Sequence, residues 1–545
     1  MQSPFKPGRR CVCQRPLPAP FRLSSLLLRS TRHRTDSGTQ PSPQGRRTRR
    51  QSKCLHIRAC LNAAAAPSFQ QLQQPGQDAG KVTVVMKFGG SSVANAQRMR
   101  EVADIICSFP EHLPCIVLSA MGKTTNLLLA AGSEALTTDP SSIPSLQPLR
   151  DIKELHRKAA GELRVDGKAH AEMESLLNEL QQLLVGISIM QDLTPRALDS
   201  LASFGERLST RIFAAFLRAE GLAAQQYDAW DLGLTSTDDF TNADVLYEPT
   251  LAKIAAKLAP PGKAQQAIPV VTGFLARGIN TGAITTLGRG GSDLSATVIG
   301  AALDLPEVQV WKDVDGVLTS DPRIVTKALP VPLLTYEEAT ELAFFGAQVL
   351  HPQAMQPALQ SRQLAVRVKN SYNRRAGGTV IVQKRDMQEV LMTSIVLKDN
   401  VTLLDVVSTR MLGQFGFLST VFGIFADNKI SVDVVATSEI SISLTLDPSK
   451  MWSRDLIDEE LDALVHAFEG VAKASYQRNM SIISLICNID RTSEILEKVF
   501  KVLGNMKINV KMMSQGASKT NISLVVDDEQ AKPAISALHQ EFFKC

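Results

Sequence analysis

Lys81–Val93, KVTVVMKFGGSSV, is the stretch on which the fold turns. Its β-branched residues Val82, Val84 and Val85 predict a buried strand. That strand ends at Lys87 and runs into Gly89, Gly90, Ser91 and Ser92, then into residues that can open a helix. A strand feeding a glycine turn and a helix start presents backbone N–H groups to an anion, and Lys87 adds a point charge beside them. The spacing is not that of a Walker A loop, G-x-x-x-x-G-K-[ST]. Taken alone, the turn is equally a backbone device, because tight strand-to-helix turns use Gly for conformational reasons.

The chain's 545 residues leave room for roughly three or four domains. Hydrophobic residues at 44% and charged residues at 21% fit an ordinary globular protein rather than a disordered one. No apolar run approaches the roughly 20 residues of a membrane span, so no membrane partner is expected. The net charge of +5 is unevenly placed: residues 1–77 hold 12 Arg, 2 Lys and one acid, Asp36, which leaves −8 on the remainder. That basic leader is rich in Arg, Ser and Pro and runs into Ala63–Ala66, the composition of an organelle transit peptide. Its apolar run Leu26–Leu28 is too short for a secretory signal, and Ile57-Arg58-Ala59-Cys60 resembles a plastid processing site. The alternative is a basic arm for nucleic acid or membrane; the abrupt end of the bias favours targeting, so no nucleic-acid partner is expected. Residues 1–80 are therefore read as transit peptide and linker, with a plastid destination. Of the eight cysteines, four (Cys11, Cys13, Cys54, Cys60) lie in this leader, and Cys107, Cys115, Cys487 and Cys545 form no C-x-x-C pair. No metal site or disulfide framework is expected from that spacing.

From Lys81 to about Asp386, β-rich runs alternate with helical patterns, which predicts an α/β domain over 81–386. Strand candidates include Cys115–Leu118, Ile268–Thr272, Val308–Lys312 and Val366–Val368. Helical patterns cover His170–Leu184 and Pro195–Leu217, and Arg374–Thr379 reads as a turn-rich exit. Beyond Asp386 an internal repeat appears. Val421-Phe422 matches Val499-Phe500 and Ile430-Ser431-Val432 matches Ile508-Asn509-Val510, each 78 residues apart, while Ile442-Ser443-Leu444 matches Ile522-Ser523-Leu524 at a spacing of 80. Each copy reads strand, helix, strand, hairpin, strand, which suits a ferredoxin-like βαββαβ unit. The bounds expected are 400–478 and 479–545, the second completed by a strand at 393–399.

Four further motifs carry chemistry. Ser203-Phe204-Gly205-Glu206-Arg207 leads into a helical stretch, where Glu206 can accept from a substrate ammonium or simply serve the helix. Thr285–Asp293, TTLGRGGSD, makes a second anion-ready turn in which Arg289 can clamp a carboxylate bidentately. Trp311-Lys312-Asp313-Val314-Asp315-Gly316, followed by Asp321-Pro322-Arg323, puts polar groups at a strand's carboxyl end, the ligand side of an open α/β sheet. In Phe345–Pro352, FGAQVLHP, His351 reads as a helix-end histidine before a helix-stopping Pro352.

Taken in order, KFGGSS, SFGERLS, TTLGRGGSD, WKDVDGV…DPR and FGAQVLHP resemble the aspartate kinases of the amino-acid kinase superfamily. The terminal repeat resembles their tandem ACT domains. Ala365–Tyr372, AVRVKNSY, and Ser408–Leu418, STRMLGQFGFL, look closest to the plant and algal chloroplast forms. The resemblance implies an amino-acid kinase (carbamate kinase-like) αβα sandwich followed by two ACT domains. It implies transfer of a phosphoryl group from ATP to L-aspartate, the first step toward lysine, threonine, methionine and isoleucine. Mg²⁺ would be carried on the phosphates with no dedicated protein cage. Such a carboxylate nucleophile is already ionised, with an unperturbed pKa near ~3.9, so no general base is needed. By the same resemblance Lys87, Gly90, Ser91, Lys312 and Asp313 bind ATP. Glu206, Arg289, Gly290, Gly291 and Ser292 bind aspartate, and Lys87 and Asp293 are catalytic. Gln348 stands where many bacterial relatives have Lys, and Lys312 is expected to supply that charge.

The ACT resemblance implies lysine as effector, at an interface formed by Met411, Gln414, Gly416, Phe417, Leu418, Val432, Asp433, Thr437, Ser438 and Glu439, and hence at least a homodimer. S-adenosylmethionine as a co-effector stays open. Two alternatives also stay open: another superfamily member acting on glutamate or acetylglutamate, and a non-catalytic ACT-type amino-acid sensor.

Overall fold

A computed structural model of the chain describes residues 81–544, apart from 260–266, 289, 348–349, 362–363, 409–414, 429, 439, 447–457 and 517. The expectations for the leader, Arg289, Gln348, Met411, Gln414 and Glu439 lie outside the described residues.

β1 (Val84–Phe88) is buried at all five positions, as a strand covered on both faces must be. It sits inside an eight-stranded sheet. Across that sheet run β3 (Ala224–Tyr227), β5 (Ile268–Thr272), β2 (Pro114–Leu118), β1, β8 (Glu307–Lys312), β10 (Ala365–Asn370), β11 (Thr379–Val382) and β9 (Leu333–Thr335). The strands from β3 to β10 are parallel, and β11 turns back antiparallel to β10. Thr379 therefore opens a strand of this sheet rather than closing an exit from it, because Val380 and Ile381 still have apolar partners to pair with. A separate three-stranded sheet has the order β4 (Thr235–Ser236), β6 (Leu275–Gly278), β7 (Ile284–Thr286).

Side chains alternate along β1, and the two faces feed two cores. Val84, Met86 and Phe88 join one core with Met99, Val102 and Ile106 of α1 (Ala96–Cys107) and with Leu208, Ile212 and Phe213. Val85 joins the other with Leu294, Val298 and Ile299. Helices thus cover both faces, giving the αβα sandwich. Each fully buried Val, Leu, Ile or Phe stabilises this arrangement by ~1.5–3 kcal/mol relative to exposure. Alternation also fixes chemistry. Lys87 falls on the Val85 face, and Lys312 falls on the face of Val308 and Val310, so both lysines point to the same side.

Four more helices complete the first face: α2 (Thr124–Ala135), α3 (Gln147–Glu162), α4 (Gly167–Met190) and α5 (Pro195–Ala219). α5 starts where the Thr194 side chain accepts the Ala197 N–H at 3.1 Å, with Pro195 at the first helical position. SFGER lies in the middle of this helix, so Glu206 is held by helical turns on both sides. On the other face lie α6 (Tyr247–Leu258), α7 (Gly291–Ala302), α8 (Tyr336–Phe344) and α9 (Pro352–Gln360). His351 is the residue before α9, and Pro352 starts that helix instead of stopping one. Proline fits the first turn because its missing N–H would have no intrahelical partner there.

The second sheet has the order β13 (Val432–Thr437), β14 (Ser441–Leu446), β12 (Met392–Val407), β15 (Lys473–Cys487), β17 (Asn521–Asp527), β16 (Met512–Ser514). β12 and β15 are long and serve twice. Residues 402–407 of β12 pair with β14, whereas 480–486 of β15 pair with β17. Their halves meet at register shifts around residues 398–403. Asn400 and Asn479 adopt left-handed φ of 55° and 58° there, a conformation Asn tolerates better than most residues. The helices are α10 (Phe417–Asp427) and α11 (Asp458–Ala467) in the first unit, α12 (Thr492–Asn505) and α13 (Asp528–Phe543) in the second. The first unit reads βαββαβ in chain order; the second reads βαββα, with residues 392–398 of β12 paired to β15 as its sixth element.

Candidate active site

β1 and β8 are neighbours, with Phe88 opposite Trp311. The two rings stack at 5.8 Å and 18°, which fixes the strand ends side by side. On the opposite face, Lys87 Nζ lies 2.6 Å from Asp293 Oδ1 and Lys312 Nζ lies 3.7 Å from Asp293 Oδ2. Burial pushes the Asp293 carboxyl up, but Lys87 and Lys312 together outweigh it and hold it below the usual carboxylate range. Burial lowers the Lys312 ammonium, with Asp293 opposing that effect. Asp293 sits in the first turn of α7, so the helix dipole also favours its charge.

α7 begins at Gly290, whose φ of 74° is a left-handed conformation that glycine adopts without strain. The His351 side chain packs directly over it, where a Cβ would collide. The Ser292 hydroxyl accepts from Ser119 Oγ at 3.1 Å, tying the α7 start to the end of β2. Gly90 approaches from the other side: a Cβ there would come within 2.9 Å of the Ala120 carbonyl oxygen. Ser91 is exposed on the same turn, and Ser92 is buried with its hydroxyl donating to Ser371 Oγ at 2.9 Å.

Glu206 closes the site from α5. Its Oε1 accepts the Ala120 N–H at 3.1 Å, and Oε2 has no hydrogen-bond partner among the described residues. The side chain is buried, and burial pushes its carboxyl up to about 8, against the Ala120 N–H and the Lys87 charge. A cavity of about 390 Å³ is bounded by Lys87 and Gly90, by Ser119 and Ala120, by Glu206, and by Gly290, Gly291 and Ser292. Three elements distant in sequence thus meet: a cationic strand end, an amide-lined helix start and a carboxylate with one free oxygen.

Lys123, Thr125 and Asn126 at the start of α2 also line this cavity, and sequence reasoning missed them. The signal was present: Cys115–Leu118 is a buried strand whose chain runs through Gly122 into a helix, repeating the β1 pattern one strand over. Asp199 was missed as well. Its carboxylate accepts from the Thr241 N–H at 2.9 Å, the Thr286 N–H at 3.1 Å and Thr286 Oγ1 at 2.6 Å, pinning the glycine turn after β7 to α5. Asp199→Ala leaves three donors without their acceptor and is expected to cost about 2–4 kcal/mol in urea unfolding. A loss below about 0.5 kcal/mol, the level of an ordinary surface substitution, would refute that clamp.

Asp313 is exposed just past β8 and does not line this cavity. The segment it opens borders a second cavity of about 360 Å³, lined by Val314, Gly316, Val317, Leu318, Ser320–Arg323, Gly346, Ala347, Val368, Val396 and Leu397. Lys369, also unforeseen, lies under the strand ends with Nζ 4.6 Å and 4.7 Å from the Phe109 and Trp311 ring centres.

Among the positions expected to take lysine, Gly416 precedes α10 with φ 86°, and Leu418, Thr437 and Ser438 are exposed. Phe417 and Val432 are half-buried against the core of the first βαββαβ unit. The Asp433 carboxylate is shielded from solvent, with Lys398 Nζ at 2.5 Å from its Oδ2.

The amino acid kinase family model matches residues 82–370, and the ACT domain model matches 404–452 and 483–542. Aspartokinase 1, chloroplastic, of Arabidopsis thaliana is 55% identical over 488 residues, covering 90% of this chain and 84% of its own. Crystal structures of E. coli aspartokinase III, one with aspartate and ADP (R-state) and one with lysine and aspartate (T-state), each superimpose with a TM-score of 0.70 at 33% identity over 85% of this chain. They are covered over 100% and 99% of their own lengths. The chain belongs to the amino acid kinase family, with ACT domains behind the kinase sheet. Within that family it is an aspartokinase of the chloroplast type.

Proposed function

We propose that the protein transfers the terminal phosphoryl group of ATP to the side-chain carboxylate of L-aspartate, giving 4-phospho-L-aspartate and ADP. The observation that carries this reading is the cavity where Lys87, Glu206 and the start of α7 converge. The attacking carboxylate needs no base, so catalysis consists of alignment and neutralisation of charge on the moving phosphoryl group. Lys87, aimed by Asp293, meets that group. The amides of Gly90 and Ser91 take the phosphates, and Lys312 and Asp313 hold the nucleotide side. Glu206 accepts the aspartate ammonium with its open Oε2. Arg289, with Gly290, Gly291 and Ser292, takes the α-carboxylate. Asp293 is engaged by two ammonium groups, which fits Mg²⁺ arriving on the phosphates rather than on a protein cage. Purified protein should release ADP rapidly with aspartate and negligibly with glutamate; equal rates with glutamate would sink the assignment.

Lysine acts as feedback inhibitor at the first ACT unit, through Met411, Gln414, Gly416, Phe417, Leu418, Val432, Asp433, Thr437, Ser438 and Glu439. An effector ammonium reaches Asp433 by displacing Lys398, and Glu439 supplies the second charge. Glu439→Ala is expected to relieve lysine inhibition by about 10-fold or more with near-normal turnover; unchanged inhibition would remove Glu439 from the site. Phe415, Leu418, Phe422 and Ile440 are exposed apolar side chains, at 105%, 43%, 39% and 50%, and support a homodimer through this unit. The leader 1–80 directs the protein to the chloroplast. The working parts are the kinase domain 81–386 and the ACT units 400–478 and 479–545, the second completed by 393–399.

A further inference from the structure

The segment after Lys312 and Asp313 does not end within the kinase sheet. It is built into the second βαββαβ unit. Thr319 donates its N–H to the Leu329 carbonyl at 2.8 Å, and its hydroxyl accepts the Leu329 N–H at 2.9 Å, closing 319–329 into a compact loop. Strand β12 grips the same residues: the Ile395 N–H donates to the Thr319 carbonyl at 2.8 Å, and Ser394 Oγ donates to the Leu318 carbonyl at 3.0 Å. Val325 is part of the core of that second unit, packed with Ile395, Ile535 and Leu538, and Ile324 and Ala328 pack against it.

The C-terminal helix α13 adds a bond between two side chains. Thr319 Oγ1 and His539 Nε2 lie 2.8 Å apart, and both residues are buried. The His539 ring is held in turn against Phe543, with centroids 4.5 Å apart. Burial lowers the His539 imidazole, so the ring is neutral at physiological pH and one nitrogen can accept. On the other side of the loop lies the 360 Å³ cavity, whose wall includes Val396 and Leu397 of β12. Ser320, next to Thr319, lines it with a buried hydroxyl that has no hydrogen-bond partner among the described residues. One face of the loop thus meets a cavity and the other meets α13.

We propose that His539 is a positioning residue for the nucleotide: through Thr319 it braces the loop 313–323 against the second ACT unit, so that this unit forms part of the ATP site. The inference rests on the assignment of Lys312 and Asp313 to the nucleotide side. It makes the α13 brace a route by which a change in the ACT pair reaches ATP without touching the aspartate cavity.

The test uses the full chain. His539→Ala and Thr319→Val should each raise the ATP KM about 3- to 10-fold, the range one buried hydrogen bond corresponds to. The aspartate KM should stay within twofold and kcat should change less than the ATP KM. His539→Gln, whose amide can replace Nε2, should restore the ATP KM. A purely structural role would instead lower kcat and raise both KM values together, and that result overturns the proposal. If His539→Ala does not fold, Thr319→Val and His539→Gln decide the matter. Lys312→Ala, measured alongside, separates the two readings. A normal ATP KM in Lys312→Ala refutes the nucleotide-side assignment. A raised value there with normal values in the Thr319 and His539 variants refutes the brace alone.

Discussion

Lys87→Ala is expected to lower kcat by about 10³-fold, the scale set by removing one preorganised donor from a developing negative charge. The aspartate KM should change little, because Glu206 and the α7 start remain. Calorimetric binding of lysine should also persist, since Lys87 lies in the kinase sheet and the positions proposed for lysine lie in the first ACT unit. The magnitude follows from placement. Lys87 is buried at the end of β1, and its ammonium is aimed by an Asp293 oxygen 2.6 Å away. Little water competes with the phosphoryl oxygens for it, so the charge acts in a poorly screened setting. Among the described residues, removing it also leaves Asp293 with the longer contact to Lys312 alone, so the folded protein loses stability too. Melting curves of Lys87→Ala and Lys87→Met separate that loss from lost catalysis: both variants should fold, and both should be inactive. Activity within tenfold of the parent in a folded variant would remove Lys87 from the chemistry.

What could be read in advance was local. Lys87, Gly90 and the α7 turn are strand ends and glycine turns, whose residue types carry their own conformational meaning, and they lie where their motifs predicted. Glu206 was legible because its helix pattern runs from Pro195 without a break. What escaped reading depends on separations no local pattern encodes. Asp199 meets Thr286 across 87 positions, and Thr319 meets His539 across 220. His351-Pro352 was misread for a different reason. Proline stands equally well after a helix and at its first turn, and only the pattern Gln353–Gln360 that follows distinguishes them. Thr379 was misplaced because a turn-rich run before a short strand looks the same whether the strand leaves the sheet or returns to it. Lys398 shows a third limit. A lysine paired with Asp433 is invisible until β12 and β13 are placed in one sheet.

Glu206 gives the protein a dependence on pH that can be worked out with its sign. In the folded protein its carboxyl is pushed up to about 8 from an ordinary 4.5, chiefly by burial. Between those values the folded state keeps a proton that the unfolded chain releases. The resulting stability is fully present below pH 4.5 and is lost as pH rises to about 8. The loss is on the order of 5 kcal/mol. Glu206→Gln cannot ionise, so it should melt close to the parent at pH 5 and clearly above it at pH 8.5. On the role proposed for Glu206, the same proton controls substrate. An ammonium is held by a carboxylate and not by a carboxylic acid, so aspartate binding must expel the proton. In the parent, the aspartate KM should fall as pH rises from 6.5 to 8.5, by at most about tenfold per unit. In Glu206→Gln it should be raised about 10²-fold, the weight of a lost charge-assisted hydrogen bond, and the slope should vanish. A slope that survives in the variant would place the titrating group elsewhere. It would leave Glu206 as a helix carboxyl buried for packing alone.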